Sequence, residues 1–362
     1  MSKTHQNWFA EIDYLRAIAI ISVLIIHTTD DTIAVKKLTG LTFSLIYLEE
    51  LARFAVPMFI FISGFVLYNK YKSDLPMREF YTKRFMVILL PYLIFSVIYY
   101  IVNAHLGFLP TLTLNSLIIS IVNFNAAGHF WYIKLILTFY IFYPAIITYY
   151  EIIKERFGIY TLTALFLSIL IIYLFGSLAS PLNFTLNPPF TFLIYFLFGV
   201  YVNDNYERIS RNLERISLKK VILLNVLIIS LPFISMFIYI DSRFGTHFTN
   251  SIPYYSLLTL ISAHILHIFI FIFCLYLTLY YKPKIGILQK IGEYSYGIYL
   301  VHAIFHNFFI IDIFPQLSIS PTSLTYYIVL FTVMLAPSYY TVKLMLTNHF
   351  TNFIITGKLN SH

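Results

Sequence analysis

The sequence predicts an all-α, polytopic membrane protein, a bundle of about ten transmembrane helices with both termini in the cytoplasm. Of its 362 residues, 59% are hydrophobic and only 11% are charged, whereas soluble domains carry about 25% charged residues. Long stretches contain no Asp, Glu, Lys or Arg, which is typical of segments that lie in lipid. This composition excludes a water-soluble globule and an intrinsically disordered chain.

Ten apolar segments are suited to cross a membrane, since about 20 helical residues span the hydrocarbon core. The charge-free runs 85–133 and 157–203 are too long for one crossing and contain loop signals, so each is expected to hold two spans. The run 114–125 is apolar but too short for a span, which predicts an interfacial or re-entrant element. We expect one integral membrane domain over residues 1–362, with a short cytoplasmic tail from about 347. The predicted spans lie near 14–29, 46–68, 85–103, 133–150, 159–178, 190–203, 221–240, 255–281, 294–312 and 324–346.

The distribution of Lys and Arg predicts the orientation. With both termini inside, the cytoplasmic loops hold fifteen of these residues and the outer loops hold three, namely Lys36, Lys37 and Arg243. This excess is the positive-inside pattern. The formal net charge of +8 therefore belongs to a membrane face, and no nucleic-acid partner is expected. The single cysteine, Cys274, allows no internal disulfide.

Arg16 and His27 are the candidate catalytic residues of the first span. Ionisable side chains within a bilayer are costly, so those that occur usually face a cavity or a partner. Eleven helical positions make about three turns, which points both side chains the same way about 16 Å apart. A guanidinium can bind phosphate with two hydrogen bonds, and a histidine can take a proton from a hydroxyl. Spacing alone leaves a structural interpretation open, in which Arg16 is an interfacial anchor and His27 pairs with a carboxylate.

Two groups near this pair complete the expected site. Asp30 follows His27 by three residues, and it could fix the imidazole tautomer as the carboxylate of a catalytic triad does. The basic loop from Lys70 to Arg84 is an ordinary positive-inside loop. In the predicted topology, however, Arg78, Lys83 and Arg84 lie beneath the first span, where with Arg16 they would suit a ligand with several phosphates.

The remaining candidate residues are assigned to substrate binding. Aromatic rings at the predicted outer boundary suit sugar stacking, although they are also ordinary belt residues there. Arg53 follows two glutamates, Glu49 and Glu50, and pairing for stability is its simpler interpretation. The substrate-binding candidates are His129, Trp131, Arg53, Tyr299 and His302.

Histidine pairs at helical spacing do not predict a metal site here. His302 and His306 are four residues apart, and His264 and His267 are three apart. No carboxylate or cysteine lies near either pair on the same helix, so the donor set is incomplete. We therefore expect no metal.

In six segments the chain resembles the acyltransferase family 3 membrane proteins. The resemblance covers nearly the whole sequence, and the order of the segments makes it specific. The segments are R-x10-H in the first span, F-I-S-G-F at 61–65, a basic loop leading into R-F-M-V-I-L-L-P-Y at 84–92, G-H-F-W-Y at 128–132, Y-F-L-F-G at 195–199 and G-E-Y-S-Y-G-I-Y-L-V-H at 292–302.

The resemblance implies an O-acyltransferase of the bacterial plasma membrane. It would move an acyl group, acetyl or alternatively succinyl, from cytoplasmic acyl-CoA to a hydroxyl of an envelope or extracellular polysaccharide or its precursor. Arg16, Arg78, Lys83 and Arg84 would receive the acyl-CoA, and His27 would act in the transfer as a general base or as a covalent carrier. The chain would act on its carbohydrate acceptor directly, or a separate extracytoplasmic transferase or a polysaccharide synthase would be its partner.

A transport function is the alternative. A membrane bundle with polar residues in its spans could export or flip a polysaccharide without acyl transfer, and one family member that acts on a biofilm polysaccharide has been described as an exporter. A scaffold for a synthase would give no reason for the R-x10-H pattern. Release of free CoA in the presence of acceptor distinguishes the enzyme from the transporter.

Overall fold

A computed structural model describes residues 9–34, 37–108, 112–178, 189–244, 265–266, 268–279 and 285–356. Every regular element in these ranges is a helix, which confirms the all-α prediction. The α-helices are α1 (Ala10–Ala34), α2 (Gly40–Ala52), α3 (Ala55–Tyr71), α4 (Met77–Arg84), α5 (Leu90–His105), α6 (Leu114–Val122), α7 (Trp131–Ile141), α8 (Tyr143–Phe157), α9 (Thr161–Leu178), α10 (Pro189–Asp204), α11 (Tyr206–Leu213), α12 (Leu218–Ile229), α13 (Leu231–Phe244), α14 (Ile268–Leu279), α15 (Gly286–Glu293), α16 (Ser295–Phe308), α17 (Leu324–Met345) and α18 (His349–Thr356).

Several of these helices are long and apolar enough to cross a membrane. Within the described ranges five qualify, and a pair bent by 62° forms a sixth. The count of ten spans and the location of the termini stay predictions. The span predicted at 255–281 lies partly outside the described residues. His264, His267, Lys282 and Lys284 lie entirely outside them. The helices that qualify are Ala10–Asp30, Gly40–Tyr71, Met77–His105, Ser295–Ile313 and Leu324–Met345, with Gly128–Ile141 and Tyr143–Ile169 as the bent pair.

Prolines break two of the predicted spans. The span predicted at 133–150 ends at Ile141 and starts again at Tyr143, because Pro144 has no N–H to offer the preceding turn and its ring would clash there. The span predicted at 221–240 is interrupted between α12 and α13, where Pro232 acts in the same way. The basic segment expected to be a loop up to Arg84 is helical from Met77 onward.

The chain forms two compact units. The first comprises Met1–Phe59 and Glu207–Leu344. Within it, α1 packs against α2, α15 and α16, and α2 packs against α13. Two close contacts between helices of this unit require glycine, because a side chain there would overlap the neighbouring helix. A Cβ at Gly292 of α15 would overlap the backbone of Asp13 on α1, and a Cβ at Gly297 of α16 would press on the Val342 side chain of α17.

The second unit comprises Ile60–Tyr206 and Met345–His362. Within it, α10 packs against α7 and α9, α5 packs against α6 and α18, and α4 packs against α7. Two glycines bring α3 and α10 into backbone contact. A Cβ at Gly64 would overlap the Phe196 carbonyl, and a Cβ at Gly199 would overlap the Phe61 carbonyl. Such close approach through small residues is typical of membrane helices.

Candidate functional site

Helix α1 carries both residues of the R-x10-H pattern without interruption. It runs as a single α-helix from Ala10 to Ala34, which confirms the helical premise for Arg16 and His27. Both residues are half-buried. Their separation of eleven positions corresponds to about three turns and about 16 Å along the axis. Neither side chain is fully exposed, so each meets protein on at least one side.

Arg16 is held by a carboxylate one turn before it. Its Nη1 donates to Oδ1 of Asp13 at 3.1 Å, and the Arg16 side chain keeps 33% exposure while that of Asp13 keeps 6%. Asp13 is thus a partner of Arg16 that was not predicted, although the i, i+3 spacing in the sequence indicates it. Because a guanidinium has five N–H donors, this pair leaves Arg16 with donors for a second anion.

His27 lies in a cluster of three histidines within the first unit. Its ring centroid is 5.2 Å from that of His302, and Nε2 of His306 is 3.1 Å from the His27 backbone carbonyl oxygen. A carbonyl oxygen only accepts, so His306 Nε2 carries the hydrogen in this contact. The i, i+4 spacing of His302 and His306 therefore brings both to α1. From the sequence, this spacing was weighed as a metal pattern, and His302 was assigned to substrate binding.

His302 has a fixed ring orientation. It is fully buried, and its Nδ1 lies 2.8 Å from the Tyr299 carbonyl oxygen and 3.2 Å from that of Ile298. Both partners are acceptors, so Nδ1 carries a hydrogen and donates it. Tyr299, another predicted substrate-binding residue, is buried with its ring centroid 6.0 Å from the His302 ring.

Asp30 lies near His27 without a hydrogen bond to it. His27 Nδ1 and Asp30 Oδ2 are 3.7 Å apart, and the Asp30 side chain is 56% exposed. That distance is longer than a hydrogen bond and within the range of an ion pair. The contact would strengthen if His27 gained a proton. A role for Asp30 in catalysis stays a prediction.

Arg53 pairs with both glutamates that precede it. Its Nη2 is 2.6 Å from Glu49 Oε1 and its Nε is 2.8 Å from Glu50 Oε1. This confirms the predicted pairing. The two carboxylate side chains are 6% and 1% exposed, while Arg53 keeps 32% exposure. Arg53 thus neutralises buried carboxylates at the junction of α2 and α3, and any part in substrate binding would come in addition to that.

The predicted aromatic boundary residues lie in the second unit. His129 is 5% exposed and packs edge-on against Tyr99, with ring centroids 5.4 Å apart. Trp131, in contrast, is 44% exposed and lies 6.2 Å from the Phe192 ring. Of the two predicted residues, Trp131 is therefore the one with an exposed ring.

The predicted phosphate-binding cations also lie in the second unit, on α4. Arg78 is exposed, whereas Lys83 and Arg84 are half-buried. The Arg84 guanidinium carbon is 5.7 Å from the Phe80 ring centroid and 5.4 Å from that of Tyr140. Arg84 is thus fixed by cation–π contacts. Across the described ranges, no group of three or more His, Cys, Asp or Glu side chains is arranged to hold a metal.

A family model described as "Acyltransferase domain" matches residues 9–343. The match covers nearly the whole chain and includes Arg16, His27, the α4 cations and the histidines of α16. The chain matches no curated protein and no solved structure at a significant level.

Proposed function

Because the chain belongs to the acyltransferase 3 family, we propose that it is a membrane O-acyltransferase that moves an acetyl group from acetyl-CoA to a carbohydrate hydroxyl. The observation that carries this proposal is the histidine cluster around His27 on an apolar helix. Ionisable residues are costly in a membrane span and usually serve a function there. The proposed location is the bacterial plasma membrane, with envelope or extracellular polysaccharide as the acceptor.

His27 is the proposed general base. It takes the proton of the acceptor hydroxyl as the hydroxyl oxygen forms a bond to the thioester carbonyl carbon. The carbon–sulfur bond then breaks, the acyl group remains on the sugar, and the CoA sulfur leaves as a thiolate and takes up the proton held by His27. A thioester is already activated, so the protein has to supply proximity, a base and exclusion of water. The 5.2 Å approach of the His302 ring and the 3.1 Å contact of His306 support this role, because they hold the His27 segment of α1 in one position.

Arg16 is the proposed donor-binding cation of the first unit. Its pairing with Asp13 fixes the guanidinium, and its 33% exposure leaves N–H groups that a phosphate could reach. In the second unit, the α4 cations Arg78, Lys83 and Arg84 are proposed phosphate-binding residues. Trp131 is proposed to stack on the acceptor sugar, which its exposed ring supports.

Acyl transfer is tested directly with the purified chain in lipid nanodiscs. The protein is supplied with acetyl-CoA labelled in the acetyl group and with an envelope polysaccharide fraction. We expect label in the polysaccharide and an equal amount of free CoA thiol. Alkaline treatment should release the label as acetate, since O-acetyl esters are base-labile.

The alternative, export without acyl transfer, predicts a different result. The protein, reconstituted in sealed vesicles, would then move polysaccharide across the membrane without releasing CoA. The control for replacement of His27 is His349→Ala. It changes an exposed histidine on the short helix α18 and should leave acetyl transfer unchanged. Polysaccharide movement with no CoA release would contradict the proposed acyltransferase activity.

A further inference from the structure

Three of the buried side-chain atoms without a hydrogen-bond partner among the described residues lie in one cluster of the second unit. They are the hydroxyl oxygens of Tyr71 and Tyr143 and Nε of Arg84. Tyr71 is 6% exposed and Tyr143 is 1% exposed. Nearly all buried polar groups in native proteins are hydrogen-bonded, and an unpaired buried donor lowers stability. The occurrence of three such groups in one cluster therefore points to a ligand that accepts hydrogen bonds.

An aromatic frame holds the three groups in place. The Phe80 ring stacks on the Tyr143 ring at 5.0 Å and meets the Tyr71 ring edge-on at 5.1 Å. The Tyr71 and Tyr143 ring centroids are 6.4 Å apart. The Arg84 guanidinium carbon lies 5.7 Å from the same Phe80 ring, and 5.4 Å from the ring of Tyr140. One set of rings thus positions both hydroxyls and the guanidinium.

The surroundings of the cluster are positively charged. The Arg84 guanidinium is close enough to the Tyr143 hydroxyl to act on it electrostatically, and Lys70 Nζ lies 5.0 Å from the Tyr71 ring centroid. The neighbouring carboxylate, Glu79, is 4.0 Å from Lys70 Nζ, but its side chain is 66% exposed. Two hydroxyl donors and a guanidinium N–H in such a field suit an anion with several acceptor oxygens.

The C-terminal end of α4 contributes Arg84 to this cluster. Arg84 is only half-buried, and it is the last residue of α4. A π-helical turn, Phe85–Leu89, follows it directly. Such turns are often found at functional sites, since the wider turn changes the direction of the adjacent side chains.

We propose that Tyr71, Tyr143 and Arg84 form a phosphate-binding site, in which both hydroxyls and the Arg84 Nε–H donate to phosphate oxygens. The phosphate belongs either to the CoA portion of the acyl donor or to the headgroup of an anionic lipid. The first source rests on the proposed function, whereas the site itself does not.

Removal of single hydroxyls tests the site. Tyr71→Phe and Tyr143→Phe keep the aromatic frame and delete only the unpaired oxygen. Binding of CoA is measured calorimetrically with the full chain in phosphatidylcholine nanodiscs. We expect the dissociation constant to rise about tenfold or more for each variant. The melting temperature without CoA should stay the same or increase, because a buried unpaired hydroxyl has been removed.

Tyr150→Phe is the matched control in the same unit. The Tyr150 hydroxyl donates to Asp204 Oδ2 at 2.8 Å, so its loss removes a hydrogen bond to a charged group. This variant should melt at a lower temperature and bind CoA as the original chain does. Tyr143→Phe should change the affinity for CoA and not lower the melting temperature, whereas Tyr150→Phe should do the reverse. This contrast distinguishes a ligand-binding hydroxyl from one that stabilises the fold.

A second measurement identifies the source of the phosphate. The melting temperature is compared in nanodiscs with and without phosphatidylglycerol. If a lipid headgroup occupies the site, phosphatidylglycerol should stabilise the original chain and not the two tyrosine variants, while their CoA affinity stays unchanged. Unchanged CoA affinity together with an unchanged response to phosphatidylglycerol would overturn the proposal. Normal CoA binding without acetyl transfer would contradict the proposed function and leave the site intact.

Discussion

Replacement of Gly292 by alanine should disturb the contact between α15 and α1 that lies beside the Asp13–Arg16 pair. A Cβ at this position would overlap the carbonyl group of Asp13 and approach its Cα. These are backbone atoms, so the overlap is relieved only if one helix shifts. Overpacking typically costs about 1–3 kcal/mol, and we expect Gly292→Ala to reach the upper end, about 3 kcal/mol, because no side chain can rotate away.

The assay compares Gly292→Ala with Gly286→Ala on the same helix. A Cβ at Gly286 would meet nothing within 4 Å, and alanine is the better helix former by about 1 kcal/mol. Gly286→Ala should therefore melt at the same temperature as the original chain or slightly higher. Gly292→Ala should melt several degrees lower and transfer acetyl groups more slowly, since a shift of α1 moves the Asp13–Arg16 pair and His27 relative to the rest of the first unit.

Equal melting temperatures of the two alanine variants would refute this reasoning. That result would mean that α15 and α1 do not approach each other as closely as the structure shows. A lower melting temperature with an unchanged transfer rate would keep the packing argument and separate it from the site.

Three further outcomes are expected. Arg53→Ala should destabilise the chain by about 3 kcal/mol, because it leaves the buried carboxylates of Glu49 and Glu50 without their cation; Arg53→Lys should lose less in the same thermal melt. Tyr68→Phe should cost about 1.5–3 kcal/mol through its lost bonds to acidic side chains, with no change in CoA binding. Trp131→Ala should leave the melting temperature nearly unchanged, because the ring is 44% exposed, and should raise the KM for the polysaccharide acceptor in the acetyl-transfer assay.

Apolar segments and charge spacing were sufficient to predict the helical class and the positions of five long apolar helices. Five of the predicted spans coincide with helical segments that are long and apolar enough to cross a membrane, such as α1 and α17. The breaks at Phe142 and between α12 and α13 were missed, although Pro144 and Pro232 are visible in the sequence. The apolar character of a segment of about 20 residues does not reveal that one proline in it lacks an N–H group.

The candidate site was predicted only in part. The spacing of Arg16 and His27 on one helix followed from the sequence, and so did the pairing of Arg53 with Glu49 and Glu50. The approach of His302 and His306 to His27 could not be predicted, because it depends on which face of α16 packs against α1. The unpaired hydroxyls of Tyr71 and Tyr143 were likewise invisible, since hydrogen-bond satisfaction is a property of the folded chain.

The rate of CoA release after replacement of His27 tests the central claim most directly. A general base contributes about 10²–10⁴-fold to a proton-transfer step. In nanodiscs with acetyl-CoA and polysaccharide acceptor, His27→Ala should lower the rate by about that factor and leave the dissociation constant for CoA unchanged, and added imidazole should restore part of the rate. A His27→Ala variant that releases CoA within threefold of the original rate would contradict the account.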